Sequence, residues 1–390
     1  MEKQNILYIL ICFTLLFTSC KLSSGQEKKQ TEENKKYSAF HPGEIWRDME
    51  GAHINAHGGG IYYEDSTGTY YWYGEHKGKG STAQVGINVY SSTDLYNWKK
   101  EGVALAVEKN HDSEITTGSV MERPKVIYNE KTEKYIMWFH LELKGQGYSA
   151  ARTGLAVSDT PTSPFKYIRS YRPNAGEWPL NYKEEWKESL DGGDPEEWWT
   201  PKWHKALNEG MFVRRDFQEG QMARDMTVYV DKDGTAYHIH SSEENQTLHI
   251  SELTDDYLNF TGKWKRVQVG GQNEAPAIFE KEGKYYMITS GLTGWDPNPA
   301  RSFVADSIMG KWTALGNPAK GEDADKTFYS QSTFILPAQG KEDAFIFMAD
   351  RWNPDNHIDG RYIWLPIEWE NGKPVIRWKS EWDLSFFEDN

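Results

Sequence analysis

Short runs in which hydrophobic and polar residues alternate recur from about residue 57 to the C terminus. The run KYYMITSG at 284–291 shows the pattern, with every second side chain apolar or aromatic. A period of two predicts strands that bury one face. Asp-Gly at 233–234 and Glu-Gly at 282–283 predict tight hairpin turns between such strands. No stretch shows a sustained helical period, so the chain is predicted to be all-β.

A unit of four short strands occurs five times. The five copies begin with GGGIYYEDSTGTYYWYGEH, RPKVIYNEKTEKYIMWFHLE, DMTVYVDKDGTAYHIHSSEE, APAIFEKEGKYYMITSGLTG and QSTFILPAQGKEDAFIFMADRW. Four-stranded units repeated around a channel form a β-propeller. We therefore predict a five-bladed β-propeller in a single domain, with the first strand of each copy innermost. A pair of β-sandwiches with similar hairpins is the alternative.

The N terminus has the features of an export signal. Lys3 precedes an apolar run at 6–17, and Thr18 and Ser19 lie directly before Cys20. This pattern predicts a lipoprotein signal peptide at 1–19 and acylation of Cys20; an ordinary signal peptide followed by an unrelated cysteine is the alternative. Residues 20–38 are polar and predict a disordered tether, which leaves 39–390 for the propeller. The protein is expected to be an exported bacterial lipoprotein of the outer membrane, on its periplasmic side or at the cell surface.

Composition narrows the choice of partner. The chain contains 17 Trp, 22 Tyr and 16 Phe, and its formal net charge is −14. An acidic protein is a poor ligand for nucleic acid or for an anionic membrane surface. Aromatic rings stack on the apolar faces of sugars. An oligo- or polysaccharide substrate is therefore expected for a monomer whose only membrane contact is its lipid anchor.

Acidic residues lie just before three of the predicted innermost strands: Glu122, Asp225 and Glu274. Ligands of propellers bind on the axis, where these strands begin, so the three carboxyls should converge. An acid next to a buried strand is costly unless it is paired or used, although each could be a solvated strand end. Glycosidic cleavage needs one carboxyl as acid and a base or nucleophile opposite it. Repulsion and burial would keep one carboxyl protonated near neutral pH.

Eight motifs together resemble glycoside hydrolase family 43 over nearly all of residues 40–390. They are AHGGG, WYGE, MERPKVIYN, RDMTVYVDKDG, NEAPAIF, TSGLTGWDPN, SQSTFIL and DRWNPDN. The chain is most similar to the branch that contains exo-β-1,3-galactanases. The resemblance implies a five-bladed propeller that hydrolyses glycosides with inversion of configuration.

The resemblance also implies roles for individual residues. Glu274 would be the general acid, and Asp225 would tune its pKa and orient it. The family's usual base is an aspartate at the start of the first blade, where this chain reads AHGGG. In the galactanase branch a glutamine that matches Gln331 takes the base's place, so Gln331 would position or activate the attacking water. Glu122 is the alternative base.

Further residues are candidates for binding substrate. The resemblance implies that Glu75 and Glu122 hold sugar hydroxyls. His57 precedes three glycines and is either a substrate contact or a structural histidine. Trp295 and Trp352 follow strands and would form an aromatic platform under a sugar, with core packing as the alternative.

No cofactor or metal site is predicted. His238 and His240 share one face of a strand but lack a third ligand at a recognisable spacing, and they are expected to pack and form hydrogen bonds. The resemblance leaves room for a structural calcium ion in the channel.

A Trp-rich segment at 171–212 interrupts the repeat. It leads towards Asp225, and long connections in compact domains are usually functional. It is expected to form one wall of the substrate pocket and so favour exo attack. Capping the outside of a blade is the alternative.

The sequence thus predicts an inverting, exo-acting glycoside hydrolase that removes terminal galactose from β-1,3-galactan or arabinogalactan-type plant polysaccharide. An α-L-arabinofuranosidase of the same family and a non-catalytic glycan-binding propeller are the alternatives.

Overall fold

In the computed structural model, which describes residues 36–162, 164–294 and 296–388, the strands form five sheets arranged as blades. Blade 1 contains β1 (His57–Glu64), β2 (Thr69–Glu75), β3 (Gly86–Ser92) and β4 (Lys99–Ala106). Blade 2 contains β5 (Val120–Asn129), β6 (Lys134–Glu142), β7 (Arg152–Ser158) and β8 (Lys166–Tyr171). Blade 3 contains β9 (Met226–Val230), β10 (Ala236–Ser242), β11 (Thr247–Leu253) and β12 (Phe260–Val267).

Blade 4 contains β13 (Asn273–Lys281), β14 (Lys284–Gly291), β15 (Arg301–Ala305) and β16 (Thr313–Gly316). Blade 5 contains β17 (Ala319–Lys320), β18 (Gln331–Pro337), β19 (Phe345–Arg351), β20 (Arg361–Glu370) and β21 (Lys373–Arg377). The short β17 pairs in parallel with β21, and all other pairs are antiparallel neighbours in sequence. Two short helices, α1 (Pro201–Asn208) and α2 (Met211–Arg215), lie between blades 2 and 3. The predicted five-bladed, all-β propeller is confirmed.

The first strand of each repeat lines the central channel. Each of β1, β5, β9, β13 and β18 contacts the first strand of the next blade, and β18 contacts β1 to close the ring. Closure also joins the two ends of the described chain, because the backbone N–H of Phe40 donates to the carbonyl of Trp382 at 2.7 Å. Buried aromatic rings, among them Trp72 and Trp364, fill the space between blades 1 and 5. Burial of such large rings provides much of the stability of a fold of this kind.

A β-bulge interrupts four of the five inner strands near the channel mouth. The bulges lie between His57 and Gly60, Glu122 and Lys125, Glu274 and Ala277, and Ser332 and Phe334. Three of them contain a residue with left-handed backbone: Gly58 (φ 61°), Arg123 (φ 56°) and Ala275 (φ 52°). Bulges bend a strand and change the direction of neighbouring side chains. The bulges therefore decide which side chains point into the mouth.

The Trp-rich segment does not form a wall of the pocket, and that prediction is wrong. All of 171–212 is described, and none of its residues lines the pocket at the channel mouth. The segment packs instead on the outside of blade 3, where Leu180 N–H donates to the carbonyl of Trp264 at 2.8 Å. Arg266 on β12 also donates to the carbonyl of Leu207 at 2.7 Å, at the end of α1. Trp203 is completely buried, in an apolar cluster that α1 and α2 form largely between themselves.

The predicted signal peptide, Cys20 and the tether up to residue 35 lie outside the described residues. Tyr37, near the end of the predicted tether, already bonds through its backbone N–H to Asn97 at 2.8 Å. None of the helices in the described part of the chain combines the length and apolar character needed to span a bilayer.

Candidate active site

A pocket of about 320 Å³ opens at the channel mouth, where the inner strands begin. All five blades contribute to its lining. Its charged side chains are Glu75, Lys77, Glu122, Arg123, Glu142, Arg224, Asp225 and Glu274. Such a concentration of charge in a cleft is typical of functional sites.

Glu274 lies at the start of β13, immediately before the left-handed residue of the blade 4 bulge. The side-chain amide of Asn245 donates to its Oε1 at 3.1 Å, and the residue is 8% exposed. Burial, reinforced by the negative charge of Asp225, raises the pKa of Glu274 to about 7. The carboxyl of Glu274 can therefore hold a proton near neutral pH and release it to a substrate.

Asp225, one residue before β9, keeps its charge. Its Oδ2 forms an ion pair with Arg123 Nη2 at 3.0 Å and accepts a hydrogen bond from the backbone N–H of Ala275 at 3.1 Å. Burial favours the neutral acid, but the charges of Arg123 and Arg224 outweigh it and hold the pKa of Asp225 below its usual range. Two neighbouring carboxyls with pKa values displaced in opposite directions form the arrangement expected of an acid and its modulator.

Gln331 is the first residue of β18 and lines the same pocket. Its Oε1 accepts a hydrogen bond from Arg123 Nη2, and its Nε2 donates to Ser290 Oγ at 2.9 Å. The orientation of the amide follows from these two partners. Arg123 therefore touches both Asp225 and Gln331, and through Nη1 it also reaches the carbonyl of Ser332 at 2.8 Å.

Glu75 and Glu122 share one lysine. Lys77 Nζ contacts Glu75 Oε2 and lies 3.4 Å from Glu122 Oε1. Burial raises the pKa of Glu75 to about 7, because the attraction of Lys77 only partly compensates for it. Burial acts in the same direction on Glu122, but Lys77 and His140 hold the pKa of Glu122 below its usual range. Glu122, whose side chain is 24% exposed, is thus an ionised carboxylate that faces the pocket.

Comparison with known proteins identifies the family. Residues 194–374 match the family model described as glycosyl hydrolases family 43. A solved structure of a GH43 β-1,3-galactosidase with galactodeoxynojirimycin is 56% identical; the match covers 88% of this chain and 100% of that one, with a TM-score of 0.86. The chain belongs to glycoside hydrolase family 43. It is accordingly a glycosidase.

Two longer members of family 43 are also similar. The exo-β-1,3-galactanase from Phanerochaete chrysosporium, solved with galactose, is 32% identical over 89% of this chain and 68% of its own, with a TM-score of 0.71. An exo-β-1,3-galactanase from Clostridium thermocellum is 33% identical over 88% of this chain and 66% of its own, with a TM-score of 0.72. The search of curated proteins finds no significant match.

The structure brings together most of the predicted site residues of this family 43 enzyme. Glu274, Asp225, Gln331, Glu75 and Glu122 all line the pocket. Their catalytic and binding roles stay predictions. Trp352 also lines it, and Lys77 Nζ lies 5.3 Å from the centre of its ring. Trp295 lies outside the described residues.

His57 does not reach the pocket, so its prediction as a substrate contact is wrong. It is completely buried, and its ring stacks on Tyr362 with the centroids 5.4 Å apart. His57 Nδ1 lies 3.8 Å from Asp350 Oδ2. A Cβ atom on Gly360 would lie 1.7 Å from the ring, so the glycine leaves just enough room for it. His57 is the structural histidine of the alternative interpretation.

His238 and His240 pack inside blade 3 as expected. Their Nδ1 atoms are 3.1 Å apart, and His238 Nε2 is 3.1 Å from Thr153 Oγ1. Burial lowers the pKa of His238 to about 3, so its ring is neutral. The part of the chain that the structure describes has no cluster of three or more His, Cys, Asp or Glu placed to bind a metal ion.

Sequence reasoning missed Lys77 and Arg224. Lys77 follows Glu75 by two residues, which is the spacing that puts two side chains on one side of an extended chain. Arg224 directly precedes Asp225, and its guanidinium carbon lies 3.4 Å from the centre of the ring of Tyr148. Both cations lie beside several acids of the pocket. The need of these acids for opposite charges was the signal that could have identified the two residues from the sequence.

We expect Asp225→Asn to move the basic limb of the pH profile to lower pH. Glu274 must be protonated to act as an acid, so the wild-type rate should fall as the pH rises through about 7. Asparagine removes the negative charge that raises the pKa of Glu274, so the fall should begin at lower pH. The measurement is kcat/KM for β-1,3-galactobiose against pH, with Asp255→Asn, on the exposed surface, as control. A slower enzyme with an unmoved basic limb would contradict the assignment.

Proposed function

We propose that this family 43 glycosidase removes terminal galactose from β-1,3-galactan or arabinogalactan-type plant polysaccharide, with inversion of configuration. The observation that carries the proposal is Glu274, a carboxyl with a pKa of about 7, beside the ionised Asp225 in a pocket at the channel mouth. The similar solved structures described above are a β-1,3-galactosidase and exo-β-1,3-galactanases, which supports the choice of galactose. None of those relatives favours an arabinofuranosidase or a binding protein.

The size of the pocket favours attack at a chain end. A volume of about 320 Å³ lies at the small end of the range for ligand pockets, which is roughly 300–1,000 Å³. It suits one terminal sugar better than the middle of a polymer. Charged groups from blades 1 to 4 surround this space and provide many partners for hydroxyl groups. Exo action therefore follows from the pocket itself and does not require the Trp-rich segment.

In the proposed reaction Glu274 donates its proton to the glycosidic oxygen as the bond to the anomeric carbon breaks. Asp225 remains ionised, and its bond to the backbone N–H of Ala275 fixes the peptide that follows Glu274. This contact holds the acid in position while the charge of Asp225 keeps it protonated. The remaining carboxylates stabilise the positive charge that develops on the sugar ring.

Water must attack from the opposite face of the sugar. Oxygen is the more basic atom of an amide, and Arg123 already donates to the oxygen of Gln331. The amide nitrogen donates to Ser290 and retains a second N–H. We therefore propose that Gln331 orients the attacking water through this N–H. Glu122, an ionised carboxylate in the same pocket, accepts the proton.

Hydrolysis of β-1,3-galactobiose tests the whole proposal. The wild-type enzyme should release galactose whose first-formed anomer is α, as seen by NMR. Glu274→Gln should lower kcat on this substrate by about 10²–10⁴-fold, the usual contribution of a general acid. The loss should be smaller on nitrophenyl β-galactoside, because its leaving group needs little protonation. Glu282→Gln, in an exposed hairpin turn, is the control; release of the β anomer first would exclude inversion.

The two candidates for the base differ in their effect on the acidic limb of the pH profile. Glu122→Gln should abolish the acidic limb of kcat/KM, because it removes the group that must be ionised. Gln331→Ala should lower kcat and leave that limb in place, because an amide does not titrate in this range. An acidic limb that persists unchanged in the Glu122 variant would exclude Glu122 as the base.

We also propose that acylated Cys20 anchors the protein in the outer membrane, with the propeller as a monomer beyond the tether. The signal-like residues 1–19 support this proposal. Labelled palmitate should enter the wild-type protein in its bacterial host and be absent from Cys20→Ser. Cys12→Ser, inside the predicted signal, should retain the label; equal labelling of the two variants would rule out Cys20 as the acylated residue.

A further inference from the structure

A lysine lies buried beneath the pocket and has no part in the reaction proposed above. Lys125, on β5, is 1% exposed. Its Nζ donates to the backbone carbonyls of Gly58 at 2.9 Å, Arg123 at 3.3 Å and Pro124 at 3.4 Å. Among the described residues it forms no ion pair. Burial of an ammonium group costs free energy unless hydrogen bonds or opposite charges compensate for it. The buried position of Lys125 therefore points to a role for this residue.

The bulges explain how the channel accommodates this side chain. Lys125 ends the bulge of blade 2, whereas the corresponding positions in blades 1 and 4 are Gly60 and Ala277. A Cβ on Gly60 would lie 2.5 Å from Lys125 Cδ. Gly60, on the neighbouring strand β1, thus leaves a space that the lysine stem fills. An ammonium group has three N–H donors, and three carbonyl oxygens receive them.

Two of these carbonyls belong to the left-handed residues of the bulges in blades 1 and 2. The backbone N–H groups of the same residues are held by carboxylates: Gly58 by Asp350 at 2.5 Å and Arg123 by Glu75 at 3.3 Å. Each bulge residue is therefore fixed at both its N–H and its C=O. For Arg123 this matters most, because its guanidinium group contacts Asp225 and Gln331.

We infer that Lys125 is a positioning residue, which ties the bulges of blades 1 and 2 together beneath the pocket and so holds Arg123 against Asp225 and Gln331. Without this ammonium group the Arg123 peptide loses a donor at its carbonyl and is free to shift. A misplacement of about 1 Å near reacting groups can cost roughly 10²-fold in rate. The effect of Lys125 on catalysis is thus transmitted through Arg123.

The far end of the channel offers a way to test this inference. A second cavity, of about 530 Å³, is lined by later residues of the inner strands and reaches Lys125 itself. Lys125→Ala would join the space of the missing side chain to this cavity. A small primary ammonium ion added to the solution can then enter and donate to the three carbonyls.

The experiment measures kcat and KM for β-1,3-galactobiose. Burial and the charge of Arg123 lower the pKa of Lys125 to about 7, so the assay is run below that pH. We expect Lys125→Ala to lower kcat by about 10²-fold with a much smaller change in KM. Propylammonium should then raise the kcat of this variant to at least a tenth of the wild-type value. Tetramethylammonium, which has no N–H donor, should restore nothing. Lys131→Ala, on the exposed surface, is the matched control.

Lys125→Met keeps most of the side-chain packing and removes the donors, so it carries the test if Lys125→Ala does not fold. It should lose kcat to a similar extent while its thermal unfolding remains cooperative. Wild-type kcat in either folded variant would overturn the inference, as would a loss in folded Lys125→Ala that propylammonium does not relieve.

The kinetic test rests on the proposed galactosidase activity, so binding provides a separate readout. If the wild-type protein does not hydrolyse galactobiose, the proposed function fails. Calorimetric binding of galactodeoxynojirimycin, which is bound in the solved structure of the 56% identical galactosidase, then provides a readout that does not require turnover. Weaker binding by Lys125→Ala that propylammonium strengthens would support the positioning role, and binding identical to wild type would refute it.

Discussion

The site depends on one recurring contact, a carboxyl group that accepts the backbone N–H of a left-handed bulge residue. It occurs in three blades, at Gly58 with Asp350, Arg123 with Glu75, and Ala275 with Asp225. Left-handed backbone at a residue other than glycine costs about 1–3 kcal/mol. At Ala275 the acceptor Asp225 is ionised, and a hydrogen bond to a charged group contributes about 1.5–3 kcal/mol, which can offset that cost. Glu75 and Asp225, which line the pocket, thereby also hold the strand geometry that shapes it.

Charge balance then explains which carboxyls hold protons. Five carboxyls line the pocket with only three cationic side chains, so two acids lack a balancing charge. Burial raises the pKa of Glu274 and of Glu75 to about 7. Asp225 contacts Arg123 and stays ionised, and Glu122 stays ionised although Lys77 lies closer to the more deeply buried Glu75. Burial and the positions of the cations therefore together set which carboxyls hold protons, and Glu274 holds its proton beside the ionised Asp225.

The repeated features of the structure could be predicted from the sequence. Features that depend on contacts between blades largely could not. Five copies of a four-stranded pattern predicted the fold, and an acid before an inner strand marked Glu274 and Glu122. The burial of His57 depends on Gly360, about 300 residues further along the chain. No local pattern records such a contact. The Trp-rich segment failed as a pocket wall for a related reason, because the strand to which it forms hydrogen bonds, β12, follows it in sequence and no periodicity in the segment reveals that contact.

The same contact occupies the aspartate that lies beside the start of blade 1. The structure does place an acid beside the start of that blade, but Asp350 is 2% exposed and its Oδ2 accepts the N–H of Gly58. A carboxylate that holds backbone beneath the surface cannot reach a water molecule on the sugar. The carboxylate of blade 2, Glu122, lies one residue before its bulge and faces the pocket. Quasi-equivalent bulges in adjacent blades therefore present different side chains to the pocket, because the acid beside the blade 1 bulge binds backbone and Glu122 beside the blade 2 bulge faces the pocket.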